Sequence, residues 1–94
     1  MVSKVHASHI LVRSEEKAKE LLERIEKRGA SFSSIAMEFS ECPSKRRGGD
    51  LGWFGRGQMV REFENAAFNG EKGKILGPVK TQFGWHLIKV LEKK

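Results

Sequence analysis

The stretch "SHILV", residues Ser8–Val12, sets a histidine against an apolar run, and "GWHLIKV", residues Gly84–Val90, does the same with His86. An imidazole carries two polar nitrogens, so burying one without partners is costly. Working outward from the first stretch, Lys4 to Val12 alternates as a strand, with Val5, Ala7, His9 and Leu11 on one face. His6 falls out of phase and should face away. Trp85 to Leu91 reads as the last strand. Two strands of one small sheet can be neighbours, so the two imidazoles could meet across 77 positions (86 − 9). Pattern alone favours two separate core histidines, each bonded to backbone. A metal pair fits poorly, because no third or fourth ligand is spaced to join them.

Between these strands the helical signals are clear. Ser14 suits an N-cap, Glu15 and Glu16 suit the positive end of the helix dipole, and Ala18, Leu21, Leu22 and Ile25 follow at helical spacing. Lys27 and Arg28 fill the last turn and Gly29 stops it. Ser31 caps a second helix with Phe32, Ile35, Ala36 and Phe39 in one stripe, ending before Cys42-Pro43. The segment "SKRRGGDLGWFGRGQ" carries five of the ten glycines and leaves room for a short strand, Leu51 to Phe54. Val60 to Phe68 reads as a third helix, stopped by Asn69-Gly70. "ILGPVKT" is a strand whose Pro78 argues for an edge or an end, and Thr81 to Gly84 is a turn. The order β-α-α-β-α-β-β points to an α+β domain with a small antiparallel sheet flanked by helices.

Ninety-four residues make one domain, 1–94, whose core must be compact. Six Phe, two Trp and ample Leu, Ile and Val supply it. No apolar stretch approaches the ~20 residues needed to cross a bilayer, and "MVSKVHASH" lacks the apolar segment of a signal peptide. One cysteine excludes an internal disulfide framework. The chain is expected to be a soluble cytoplasmic monomer without cofactor, although an excised domain of an exported protein would read the same. A net charge of +6 allows weak binding to nucleic acid or anionic surfaces, but a solvated lysine-rich surface explains it as well.

Among chemical candidates, Cys42 is a possible nucleophile with His9 or His86 as base, or simply a small hydrophobe at a helix end. Lys45, Arg46 and Arg47 suit a phosphate or acidic group, or a solvated loop. "GDLGWFGRG" satisfies neither the GxGxxG spacing nor the aromatic pattern of RNA-binding sheets. Met59 and Phe63, four apart, form a stripe on one helical face.

Taken together, "ASHILV", "FSSIAMEFSECPSKRRGGDLGWFGRGQMVREFENAAF" and "GPVKTQFGWHLIKV" resemble the parvulin family of peptidyl-prolyl cis/trans isomerases, from about Val5 to Leu91. The resemblance implies a four-stranded antiparallel sheet with helices around it. It implies that His9 and His86 are a hydrogen-bonded pair beneath the active site, each the other's partner. It also places Cys42 at a polar catalytic position held in the family by cysteine or aspartate, and links Thr81 to the histidine pair. Met59 and Phe63 match the apolar pocket for the proline ring, with Leu11 nearby and Trp53 expected to support the loop from below. Phe83 stands where some members have serine and others are apolar. Phosphate-selective members carry a basic loop after the first strand; here Arg13 runs straight into Ser14-Glu15-Glu16, so phosphate selectivity is not expected. The implied partners are proline-containing or unfolded polypeptides, with rotation of Xaa-Pro bonds assisting folding. Two other classes fit the same features: a binding module that holds proline-containing chains without catalysis, and a basic nucleic-acid binder.

Overall fold

The computed structural model describes residues 2–94. Strand β1 (Lys4–Val12) is followed by helices α1 (Glu15–Arg28) and α2 (Phe32–Phe39), and a 3-10 turn (Pro43–Arg47) leads to β2 (Asp50–Gly55). Helix α3 (Arg61–Asn69) then precedes β3 (Ile75–Thr81) and β4 (Gly84–Lys93). The strands form one sheet in the order β2-β1-β4-β3, with every neighbouring pair antiparallel. The four-stranded antiparallel architecture is the one expected; the 3-10 turn is the element that periodicity did not disclose.

The caps explain why the helices begin and end where they do. Ser14 Oγ accepts the Lys17 N–H at 3.1 Å, and Gly29 closes α1 with φ +72° and its N–H on the Arg24 carbonyl. Ser31 Oγ serves α2 in the same way, accepting from Ser34 N–H at 3.3 Å. Helix α3 lacks a side-chain cap at Val60. Instead the Glu64 carboxylate accepts the Gly57 N–H and ties the preceding turn to the helix. Pro78 sits on β3, an edge strand, at an irregularity in its pairing with β4 between Leu76 and Val79, as a residue without an N–H requires.

Strand alternation splits the core in two. Val5 and Ala7 pack with Ile88, Val90, Phe54 and the inner side of α3 (Phe63, Ala67, Phe68). Ile10, Val12 and Leu87 point the other way, onto Ala18 and Leu21 of α1 and Phe32, Ile35 and Ala36 of α2. The central strands β1 and β4 are therefore buried on both faces, which is why their sequences read as nearly continuous apolar runs. His9 and His86 occupy the α3 side of this sandwich. His6, as expected from its phase, faces away and donates from Nε2 to Asp50 at 2.8 Å.

Gly49 marks a point where backbone meets backbone. Its φ is +88°, its carbonyl accepts the His9 N–H at 2.9 Å, and a Cβ there would overlap the His9 carbonyl oxygen. Gly52 has a similar φ of +72° but open space where a Cβ would go. Gly49→Ala should therefore destabilise the fold by about 2–4 kcal/mol in urea unfolding, and Gly52→Ala by only about 1 kcal/mol. Equal losses would show that conformational strain, and not the approach to β1, sets the requirement at Gly49.

Candidate active site

The antiparallel register pairs Leu11 with His86 and His9 with Ile88. His9 and His86 are thus diagonal neighbours on one face, within reach of each other's side chains. Their Nδ1 atoms lie 3.0 Å apart and their rings stack at 5.2 Å. Both are almost fully buried, at 5% and 4% exposure. Phe63 presents itself edge-on to both rings, 5.4 Å from His9 and 5.3 Å from His86. Thr81 Oγ1 lies 2.7 Å from His86 Nε2 and accepts the Phe83 N–H at 3.1 Å. The two histidines are partners of each other, so the reading of two separate core histidines is set aside.

Burial, and for His9 also the neighbouring His86, lowers its pKa to about 4; burial does the same for His86, again to about 4. Both rings are neutral at pH 7. A neutral imidazole has one N–H and one bare nitrogen, so an Nδ1–Nδ1 bond requires unlike tautomers. If the Thr81 hydroxyl donates to His86 Nε2, His86 Nδ1–H donates to His9 Nδ1, and only the His9 Nε2–H is left over. The reverse arrangement would strand the Thr81 proton and leave a bare His9 Nε2. The first arrangement satisfies more groups. His9 Nε2 is in fact a buried nitrogen without a partner among the described residues.

Above this floor opens a groove of about 470 Å³ whose lining includes His9, Leu11, Cys42, Met59, Phe63, Phe83 and His86. Seven of the eight residues expected at the site therefore share one concavity. Thr81, the eighth, supports His86 from behind. Cys42 is held here because the segment after α2 fastens to the end of β1: Leu11 N–H donates to Ser40 Oγ at 3.1 Å, and Glu41 N–H donates to the Leu11 carbonyl at 2.8 Å. Cys42 N–H also reaches Ser40 Oγ, at 3.4 Å. No hydrogen bond joins the Cys42 sulfur to either imidazole among the described residues, and their Nδ1 atoms are engaged with each other.

Three details differ from the sequence reading. Met59 lies in the bend before α3, not on the helix, so it meets Phe63 through the turn that Glu64 secures and not through helical spacing. Phe63, only 2% exposed, belongs to the core as well as to the groove. Trp53 is 41% exposed on edge strand β2 and lies against His6, on the side of the sheet away from the histidine pair, so it does not support the groove. Leu51, Val60 and Pro43 also line the groove and were missed; they sit in irregular stretches where no period marks a face. Lys45, Arg46 and Arg47 are exposed and join no ion pair among the described residues.

Comparison with known proteins converges on one family. The family model described as a PPIC-type PPIase domain matches residues 1–94. The foldase protein PrsA of Geobacillus kaustophilus is 51% identical over 92 residues, 97% of this chain but 32% of the relative. The chain thus spans about a third of the length of the curated relatives it matches. The crystal structure of the peptidylprolyl isomerase PrsA from Bacillus anthracis is 44% identical with a TM-score of 0.95, covering 99% of this chain and 43% of that one. The parvulin of Nitrosopumilus maritimus is 38% identical with a TM-score of 0.85, covering 96% of this chain and 97% of its own.

Because both histidines have folded-state pKa values below the ordinary 6.5, the unfolded chain takes up protons first as the pH falls. Stability should be flat above about pH 6.5 and decline toward about pH 4, as followed by urea unfolding. Nitrogen NMR should find His86 protonated on Nδ1 and His9 on Nε2, with neither ring titrating near pH 6.5. A ring that titrates there would contradict the dry, neutral pair.

Proposed function

This chain belongs to the PPIC-type, or parvulin-type, peptidyl-prolyl cis/trans isomerases, and from that premise we propose how it acts and on what. The groove receives the proline ring of an Xaa-Pro segment on Met59, Phe63 and Leu11. The observation that carries this reading is the apolar concavity built directly over the histidine pair. Rotating the bond requires breaking amide resonance, with an activation energy of ~20 kcal/mol, and no atom need leave. An apolar groove favours the twisted, less dipolar amide over the planar one, which is binding specific to the transition state. Cys42 and the neutral histidines adjust the local field at the carbonyl. A nucleophilic Cys42 would need a base within hydrogen-bond reach, and the absence of an imidazole bond to its sulfur supports the noncovalent role.

The link from β1 to α1 consists of Arg13 and Ser14 alone, which supports activity on unphosphorylated chains. The relatives' name, foldase, and their greater length support a place for this chain as the isomerase domain, residues 1–94, of a longer folding factor acting on proline-containing polypeptides. The expectations of a cytoplasmic monomer and of weak nucleic-acid binding find no counterpart in these comparisons.

An Xaa-Pro peptide assay should show acceleration with unphosphorylated Leu-Pro, and no strong preference for phospho-Ser-Pro. Cys42→Asp should keep substantial activity, whereas Met59→Ala should lose about tenfold in kcat/KM, or about 1.4 kcal/mol of transition-state binding, with little change in unfolding midpoint. Near-complete loss in Cys42→Asp would favour covalent chemistry. Phe63→Ala should lose both activity and about 3–5 kcal/mol of stability. Activity confined to the phosphorylated peptide would overturn the substrate assignment.

A further inference from the structure

The apolar groove does not end at Phe83. That side chain, 59% exposed at the tip of the β3–β4 hairpin, is shared with a second groove of about 600 Å³ on its other side. Leu11 and Glu41 are common to both, so the two form one continuous trough with Phe83 as a ridge. The second groove has a different character. Arg13 and Lys80 line it, and Glu41 is its one carboxylate. Arg13 Nε donates to Glu41 at 2.8 Å, with the arginine side chain 86% exposed, so this pair is worth little and is easily exchanged. Lys80 Nζ lies over the Trp85 ring, 5.7 Å from its centroid, and has no carboxylate partner among the described residues. Two cations facing one anion leave the trough a net positive charge that its own residues do not neutralise.

We propose that this second groove is a subsite for an acidic side chain flanking the substrate's proline, with Arg13 and Lys80 as the specificity-determining residues. The proposal rests on the reading that the first groove takes the proline ring. Adjacent residues of a chain are 3.8 Å apart at Cα, so a neighbour of a seated proline passes directly over the Phe83 ridge. A carboxylate arriving there pairs with Lys80 or takes Arg13 from Glu41. One charge suffices, so the subsite asks for glutamate or aspartate and needs no phosphate.

The test compares kcat/KM for matched peptides carrying Glu or Gln beside the proline, before it in one pair and after it in another. In at least one pair the wild-type domain should favour Glu about threefold to tenfold at low salt, as expected for one or two exposed ion pairs. The ratio should approach one in Arg13→Gln/Lys80→Gln, and in the wild type near 1 M salt, where the screening length is ~3 Å. A wild-type ratio of one in both pairs, with the Gln peptides still accelerated, overturns the subsite alone. So does a preference that survives in the double variant. Failure to accelerate any of the peptides overturns the proline-groove reading and the subsite with it.

Discussion

The hydrogen bond between His9 and His86 is the constraint on which the rest of this structure turns. Two polar rings in the middle of a small core are tolerable only if each satisfies the other, and only a register that makes them diagonal neighbours on β1 and β4 brings the Nδ1 atoms to 3.0 Å. That register then fixes which residues of both central strands face α3 and which face α1 and α2. Dryness is the second requirement. Phe63, edge-on to both rings, excludes water from one side, and Thr81 completes the polar end of the chain of bonds. The bond also keeps both rings neutral, so the groove floor offers shape and dipoles in place of charge.

From that floor the groove follows by a few local fastenings. Ser40 and Glu41 attach to the backbone of Leu11 just where β2 no longer pairs with β1, which brings Cys42 over the histidines. Glu64 holds the turn that carries Met59. The hairpin between β3 and β4 sets Phe83 at the opposite lip. Each of these is a backbone or capping interaction, so the groove is held open by the fold itself. A preformed apolar slot is what bond rotation requires, since the reaction needs neither proton transfer nor a leaving group.

Much of this was legible in the sequence, for identifiable reasons. Strand β1 was read with its bounds intact because alternation over nine residues is hard to mistake, and Ser14 and Gly29 bracketed α1 through cap chemistry. The histidine pairing was not legible from pattern: nothing in two separated strands states that they are neighbours, and family resemblance supplied what spacing lacked. Met59 was placed correctly at the groove for the wrong reason, because i, i+4 spacing holds only inside a helix and α3 starts at Arg61. Trp53 was misplaced because a glycine-rich segment gives no period from which to read a face. Leu51 and Val60 escaped notice on the same ground.

The central claim, that the two imidazoles matter chiefly as each other's buried partner, is tested most directly by a double-mutant cycle on stability. His9→Leu, His86→Leu and the double variant would be unfolded in urea at pH 7 beside the parent. Each single change strands a buried polar nitrogen, at a cost of about 1–3 kcal/mol, whereas removing both leaves nothing unsatisfied between them. The account predicts that the double variant is at least as stable as either single variant, with a coupling of at least about 1 kcal/mol. Strictly additive losses would contradict it, showing two histidines that serve the fold independently.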